Sequence, residues 1–189
     1  GFGPLYISGL ETSLRLVNLL LLYGKKEQPE VSIETHIYRL FFWTYFNVEN
    51  REKKYKGNHY LITKIALFMA SGFLFGSDSA MYRRLQRDVL WELPNQFNTD
   101  GSYYENSTGY HGFVLSALLI MNKCTLGGND EVRRYLETLL PKAFDFYGWC
   151  TINHKLFLRV GDYDGAKFLV APSFHEGTEP ASYVRLSKY

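Results

Sequence analysis

Residues 98–111 read NTDGSYYENSTGYH and lie between two segments with the apolar spacing of helices. The Asp100-Gly101 pair within this stretch predicts a tight turn. Gly tolerates the positive φ that closes such a turn, and Asp can hydrogen-bond its own backbone nearby. The chain is therefore expected to leave one helix, turn at a polar loop and enter another helix.

The second half of this stretch has the composition of a helix start. Ser107 or Thr108 can cap the helix that follows, which places Tyr110 and His111 in its first turn. A phenol and an imidazole beside a polar loop suit proton transfer. The same pair would also serve as amphipathic core residues whose polar tips are satisfied, and for an isolated Tyr-His pair this second interpretation is the commoner one.

Helical signals continue on both sides of the loop. Ser8 and Glu11 form a capping-box pattern, and glycines or prolines separate the apolar segments that follow. We expect Pro94 to kink or stop its helix, and Pro141 to kink its helix or begin a new one. The predicted helices are 8–22, about 32–47 with Ser32 as cap, 58–75, one from Ser77 or Asp78 to about 94, about 109–123, and one capped by Asn129 or Asp130.

The helical pattern changes at about residue 151. Residues 153–160 partly alternate, a turn cluster occupies 161–165, and 166–170 is another short β-like run. The prediction is a mainly α fold made of helical hairpins, as an all-α layer or an (α/α) toroid, over residues 1–150. Residues 151–189 are predicted to be the transition into a β-sandwich domain. The tail from residue 172 has no assignable pattern.

Composition narrows the function classes. The 189 residues are enough for one domain or a little more, and 17% of them are aromatic. The net charge of +2 is too small to indicate binding to nucleic acid. Positive charge is concentrated instead at Arg51, Lys53, Lys54 and Lys56, directly before Asn58. The longest apolar run, 61–75, contains a lysine and is too short for a membrane span.

Several familiar site patterns are absent from the sequence. It has no glycine-rich phosphate loop, no Ser nucleophile elbow, no HExxH and no zinc-type Cys/His spacing. The two cysteines, Cys124 and Cys150, form no disulfide framework and do not identify the compartment. The chain opens on Gly1 without an initiator Met, which favours a processed chain or a piece of a longer one.

Three segments of the chain belong together: Gly57-Asn58-His59-Tyr60; Gln96 through Asp100-Gly101-Ser102, Glu105, Ser107 and Tyr110-His111; and Gly161-Asp162-Tyr163-Asp164-Gly165. Between the first two, 51 residues separate His59 from Tyr110. In this order and spacing the segments resemble the heparinase II/III-like polysaccharide lyases, the group that includes oligo-alginate lyases. Leu10-Glu11, Arg15 and Asn18 also look like a helix of that family's toroid.

The resemblance implies a toroid followed by a β-sandwich, with an acidic polysaccharide bound in the cleft. It implies β-elimination at a uronate without cofactor or metal, in a periplasmic or extracellular protein. Asn58 would neutralise the carboxylate, His59 would be the base and Tyr110 the acid. The implied substrate-binding residues are Tyr104, Glu105, His111 and Lys56.

This chain departs from the family pattern in two places. The family's second catalytic-site histidine comes from the sandwich, and neither His154 nor His175 has a matching context. Ala166-Lys167 stands where the family often has Arg after the last turn. We therefore expect the remaining parts of the same polypeptide, or a dimer partner, to complete the site, and the 189 residues alone to be inactive and to self-associate.

Three alternatives stay open. A uronate C5-epimerase would share proton abstraction but return the proton to the other face. A non-catalytic polysaccharide-binding module would retain the scaffold without turnover, and in that case Asn58 would be only a helix cap. A glycoside hydrolase is less favoured, because its carboxylate pair would have to be Asp100 and Glu105, and the turn already accounts for Asp100.

Overall fold

The computed structural model describes residues 8–23, 31–49, 51–52, 56–124, 131–152, 156–162, 165 and 168. Within these residues the chain is mainly helical. Its elements are α1 (Gly9–Tyr23), α2 (Val31–Phe46), α3 (Asn58–Phe75), α4 (Ala80–Gln96), α5 (Thr108–Cys124), α6 (Glu131–Trp149), β1 (Thr151–Ile152) and β2 (Leu156–Phe157). The two short strands pair antiparallel, with Thr151 opposite Phe157 and Ile152 opposite Leu156.

The chain divides into two compact units, Gly1–Leu93 and Pro94–Tyr189. In the first unit α3 packs against both α1 and α2. Because α3 is apolar around most of its circumference, it is buried on nearly every side, as expected for a central helix. Its fully buried residues include Leu61, Ile62, Ile65, Ala66, Leu67 and Phe68.

The second unit is built on the packing of α5 against α6. The buried face of α5 includes Val114, Leu118 and Met121, and that of α6 includes Val132 and Leu136. Gly112 lets the two helices come close, because a Cβ there would lie 3.0 Å from the Tyr147 ring. The β hairpin follows α6 directly and contacts its end through β1.

The ends of several helices confirm the sequence prediction. The Ser8 hydroxyl accepts a hydrogen bond from the Glu11 amide at the start of α1. The third helix ends at Phe75, and Gly76 follows with φ 77°, a conformation that glycine adopts without steric cost. These ends were predictable because a side-chain cap and a glycine each act over only a few residues of sequence.

Two predicted helix starts are wrong by one or two residues, whereas α3 starts at Asn58 as predicted but with a different cap. Gly57 is the cap of α3, so Asn58 is the first helical residue and does not cap the helix. Ser79, and not Ser77 or Asp78, caps α4, because its hydroxyl accepts the Tyr82 amide at 3.1 Å. The second helix starts at Val31, one residue before the predicted cap at Ser32. Neighbouring polar residues compete for the same cap, and local sequence alone does not select one.

Both prolines lie inside continuous helices. Pro94 does not stop α4, which runs on to Gln96. Pro141 does not begin a new helix, because α6 continues without interruption to Trp149. A proline removes one intrahelical donor, and neighbouring residues can retain helical geometry when their packing compensates.

The mainly α character of the chain is confirmed, whereas the toroid and the β-sandwich stay predictions. The two strands are too short to test a sandwich, and the β-like run predicted at 166–170 falls almost wholly outside the described residues, as do His154 and His175. No helix in the described part of the chain is long and apolar enough to cross a membrane.

Candidate functional site

The first unit places two of the predicted catalytic residues in the opening turn of α3. Asn58 is buried, and the side chain of His59 is 41% exposed. The first backbone N–H groups of a helix have no intrahelical acceptor and carry partial positive charge. The start of α3 is therefore a favourable environment for a carboxylate, and the His59 imidazole lies beside it.

His59 is held by a carboxylate that the sequence analysis missed. Its Nδ1 lies 2.7 Å from Oε2 of Glu49, ten residues earlier in the chain. An ionised carboxylate can only accept hydrogen bonds, so Nδ1 carries the proton and Nε2 of the neutral ring keeps its lone pair. Within the described residues, Nε2 has no hydrogen-bond partner. The ring is thus in the tautomer that can accept a proton at Nε2.

Glu49 also contacts the start of α1. Its Oε1 accepts hydrogen bonds from the Ser8 hydroxyl at 2.9 Å and from the Leu10 amide at 3.3 Å. Burial raises the pKa of Glu49, but the hydrogen bonds from His59, Ser8 and Leu10 outweigh it, so the net pKa is below its ordinary value. The carboxylate is therefore ionised at neutral pH.

Lys56 lies over an aromatic ring just before α3. Its ammonium is 4.4 Å from the centroid of the Tyr60 ring, and the Lys64 ammonium is 5.3 Å from the same centroid. Lys64 also forms a 2.6 Å ion pair with Asp88, which offsets its charge. Lys56, which was predicted to bind substrate, thus lies beside the start of α3 in contact with the Tyr60 ring.

In the second unit the predicted turn at Asp100-Gly101 is confirmed as the tip of a small hairpin. The Gly101 amide donates to the Asn98 carbonyl at 3.0 Å, and Phe97 pairs with Tyr103 in an antiparallel bridge. Asp100 accepts both the amide and the hydroxyl of Ser102. These hydrogen bonds from Ser102 lower the pKa of Asp100, and they identify it as a turn residue.

The hairpin rests on the backbone of α6. Gly101 has φ 87°, and a Cβ at this position would lie 2.4 Å from the Lys142 carbonyl carbon and 2.6 Å from the Ala143 nitrogen. The Lys142 ammonium in turn donates to the Thr99 carbonyl at 3.2 Å. Only glycine combines this conformation with so close an approach.

His111 joins the hairpin to α6 through both ring nitrogens. Nδ1 accepts the Tyr103 amide at 3.2 Å, so Nε2 carries the proton and donates to the Ala143 carbonyl at 2.9 Å. Burial lowers the pKa of His111 to about 4, although the Ala143 carbonyl and Asp100 act in the opposite direction. Its buried position and occupied nitrogens do not fit the predicted contact with substrate; they fit a residue that holds the loop in place.

The neighbouring tyrosines differ in environment. Tyr103 is buried and its hydroxyl donates to the Gln96 side chain. Tyr104 is half-buried, and its amide donates to the Gln96 carbonyl at 3.0 Å. Glu105 is also half-buried. The loop therefore anchors itself through Tyr103 and leaves Tyr104 and Glu105 partly accessible to solvent.

The first turn of α5 carries Tyr110. Of the two predicted caps, Ser107 and Thr108, it is Ser107 that caps this helix, because its hydroxyl accepts the Tyr110 amide at 3.1 Å. The same hydroxyl donates to the Asp162 carbonyl, so the cap also binds the segment around residues 158–162. Thr108 holds that segment as well, through the Leu158 carbonyl at 2.8 Å. Tyr110 is half-buried at this fixed helix start.

The turn cluster predicted at 161–165 contributes to the same region. Gly161 and Gly165 both have φ 74°, as expected for glycines in a turn. A Cβ on Gly161 would lie 2.7 Å from the Asn106 carbonyl oxygen, so glycine allows the chain to pass directly over the end of the loop. Residues 163 and 164 lie outside the described residues.

The structure thus groups the predicted residues within each unit. Lys56, Asn58 and His59 lie at the start of α3, and Tyr104, Glu105, Tyr110 and His111 lie along the loop and the first turn of α5. No cluster of His, Cys, Asp and Glu suited to a metal occurs among the described side chains. Comparisons with models of protein families, with curated proteins and with solved structures found no match.

Proposed function

We propose that this protein cleaves a uronate-containing acidic polysaccharide by β-elimination. The observation that carries the proposal is the geometry of His59, a partly exposed imidazole whose Nδ1 lies 2.7 Å from the Glu49 carboxylate, so that Nε2 is the basic nitrogen of the neutral ring. A histidine oriented in this way at a helix start is equipped to remove a proton. The resemblance of the sequence to heparinase II/III-like lyases supplies the reaction.

In the proposed reaction His59 removes the proton at C5 of the uronate. The electron pair left at C5 forms the C4–C5 double bond, and the bond between C4 and the glycosidic oxygen breaks. Tyr110 donates its phenolic proton to the departing oxygen. Tyr110 suits this role because a phenol with a reference pKa of about 10 retains its proton at neutral pH.

The uronate carboxylate requires neutralisation, because its charge opposes removal of the adjacent proton. We assign this role to Asn58 and Lys56. The support is their place at the start of α3, where helix N–H groups and the Lys56 ammonium favour an anion. Tyr104 and Glu105, both partly accessible, are assigned to sugar contacts.

The finer architecture belongs to the same proposal. An (α/α) toroid with a following β-sandwich would account for the six described helices and for the short hairpin after α6. A periplasmic or extracellular location would bring the protein to such polymers, and further parts of the polypeptide or a dimer partner would supply the second histidine.

The proposal is tested by incubating the full-length protein with alginate, pectate, hyaluronan and heparan sulfate and following the ultraviolet absorbance of the unsaturated uronate product. We expect product with one of these polymers. His59→Ala and Tyr110→Phe should each lower turnover by roughly 100-fold or more, the usual contribution of a general acid or base. The matched control is Tyr135→Phe, which removes a half-buried phenol from α6.

The comparison of Tyr110→Phe with Tyr135→Phe separates chemistry from stability. Loss of the Tyr110 hydroxyl should cost about 0.5–1.5 kcal/mol of unfolding free energy, and loss of the Tyr135 hydroxyl no more than that. Only the Tyr110 variant should lose turnover while still binding polymer. Unchanged turnover in Tyr110→Phe would contradict its role as acid.

Asn58→Ala tests the carboxylate contact. Because Gly57 caps α3, loss of a cap cannot account for a reduced rate in this variant. We expect a lower rate at saturating substrate. Normal turnover in a destabilised variant would show that Asn58 serves only the fold.

Two other outcomes would replace the proposal. Exchange of the C5 hydrogen with solvent deuterium, without an ultraviolet product, would identify a uronate C5-epimerase. Binding of polymer with neither product nor exchange would identify a non-catalytic module.

A further inference from the structure

We infer that Glu49 is the positioning residue of His59, fixing which ring nitrogen acts as the base. The inference rests on the proposed function and adds a residue that the sequence did not suggest. Glu49 lies just after α2, and no motif connects it to the start of α3. The geometry of three hydrogen bonds carries the inference.

The first hydrogen bond selects the tautomer. The 2.7 Å contact from Nδ1 to Oε2 is short and charge-assisted, and it requires the proton on Nδ1. Without an acceptor at Nδ1, a neutral imidazole is free to place its proton on either nitrogen. The carboxylate therefore keeps Nε2 unprotonated, and it also limits rotation of the ring.

The other two hydrogen bonds fix the carboxylate itself. Oε1 accepts from the Ser8 hydroxyl and from the Leu10 amide, so Glu49 is bound to the first turn of α1 while it binds His59. The partial positive charge at that helix start favours the ionised carboxylate. The imidazole is consequently oriented against a rigid element and not against a freely rotating side chain.

The charge of Glu49 also suits the proposed step. When Nε2 takes the C5 proton the ring becomes an imidazolium, and an ionised carboxylate at 2.7 Å stabilises that positive charge. Three donors lower the pKa of Glu49 and hold it ionised at neutral pH. Glu49 acts through His59 in this scheme and does not itself contact the substrate.

A purely structural role would be to join α1 to the start of α3. Glu49→Gln tests the difference, because the amide has nearly the same shape but no charge. The matched control is Glu11→Gln, which removes a carboxylate from the same turn of α1 without touching the His59 pair. The measurements are kcat and KM on the polymer that gives product, and the tautomer of His59 from ¹⁵N NMR.

We expect Glu49→Gln to lower kcat by at least about tenfold with little change in KM, since orientation and charge act on the chemical step. In the variant the neutral His59 ring should no longer be restricted to the tautomer with the proton on Nδ1, because an amide can donate as well as accept. Glu11→Gln should match the wild type in both kcat and tautomer. A Glu49→Gln enzyme with the wild-type kcat and tautomer would overturn the inference.

The NMR measurement on the wild-type protein needs neither a variant nor a substrate. It should show a protonated Nδ1 and an unprotonated Nε2 in neutral His59, and the opposite tautomer would overturn the inference even if the enzyme is active. Conversely, the expected tautomer without turnover on any uronate polymer would leave the Glu49–His59 coupling intact and would reject the proposed function.

Discussion

Gly101 is the residue where the central hairpin comes closest to a neighbouring helix. Its φ of 87° and the 2.4 Å that would separate a Cβ from the Lys142 carbonyl carbon leave no room for a side chain. Position 101 therefore combines two independent requirements for glycine, one from the backbone conformation and one from the packing on α6.

We predict that Gly101→Ala lowers the free energy of unfolding by about 2–5 kcal/mol. A left-handed conformation costs a residue with a Cβ about 1–2 kcal/mol, and forcing an atom into a packed interface costs about 1–3 kcal/mol more. Urea denaturation followed by circular dichroism would measure the loss.

Two glycines provide controls for Gly101→Ala. Gly76 has φ 77°, but a Cβ added there would meet no atom within 4 Å, so Gly76→Ala isolates the conformational cost. Gly148 lies in α6 with open space around it, and Gly148→Ala should be neutral or slightly stabilising. Equal losses at positions 101 and 76 would show that the contact with α6 contributes nothing.

Some residues of the candidate site could be predicted from the sequence, and others could not. The Asp100-Gly101 turn was predictable, because its hydrogen bonds join residues no more than four positions apart. Glu49 was not, since its contact with Ser8 spans 41 positions and depends on how α1 packs. Sequence also could not decide which of Tyr103, Tyr104 and Tyr110 is the buried one, because all three share a polar stretch.

Two helices begin at serine caps whose hydroxyls also donate a hydrogen bond. The Ser107 hydroxyl caps α5 and also donates to the Asp162 carbonyl, whereas the Ser79 hydroxyl caps α4 and donates to a nearby carbonyl, that of Gly76. Comparing the two serines therefore separates the stability contributed by a helix cap from that contributed by a long-range hydrogen bond.

We predict that Ser107→Ala costs about 1–3 kcal/mol of unfolding free energy and Ser79→Ala about 1 kcal/mol. The larger loss at position 107 reflects a buried hydroxyl with a partner 55 residues away. Thermal or urea unfolding of the two variants would measure the difference. Similar losses would indicate that the contact with Asp162 adds little.

The helices themselves were predictable because apolar residues recur with the helical period over many positions. Their starts were less so, as the choice of Ser79 over Ser77 shows. A stop at Pro94 and a new helix at Pro141, each one of two predicted outcomes, are wrong for a related reason: a local rule for proline does not include the packing that keeps α4 and α6 continuous.

For the whole molecule, the buried His111 makes stability depend on pH. The folded state holds this imidazole neutral, with a pKa of about 4, whereas an unfolded chain has the ordinary value near 6.5. Between these values the unfolded state binds more protons than the folded state. The free energy of unfolding therefore falls as pH decreases from about 6.5 to about 4.

We predict a loss of up to about 3 kcal/mol from His111 over this range, obtained by converting the difference in pKa. Glu49, whose pKa is lowered, adds a further loss as its carboxylate is protonated below its ordinary value. Urea denaturation across pH would measure the sum. His111→Asn should remove the part between pH 6.5 and 4.

The mainly helical fold was predictable at this scale, because the helical period governs most of the chain. The two-unit division at Leu93 and Pro94 was not predicted, since the sequence places no linker there and α4 has a continuous helical pattern. The local sequence pattern predicts which secondary structure a segment can form. Compact units instead arise from contacts between segments far apart in sequence.

The burial of α3 has a consequence for the motions of the first unit. A helix enclosed by α1 and α2 can exchange its central amide hydrogens with solvent only when its neighbours detach. In deuterium-labelling experiments the amides of Leu61 to Phe68 should therefore be the last of this unit to exchange, at the rate of its full opening. The amides at the start of α3, where His59 lies partly exposed, should exchange much sooner. The same helix would therefore contain the slowest-exchanging amides of the unit and some of the fastest.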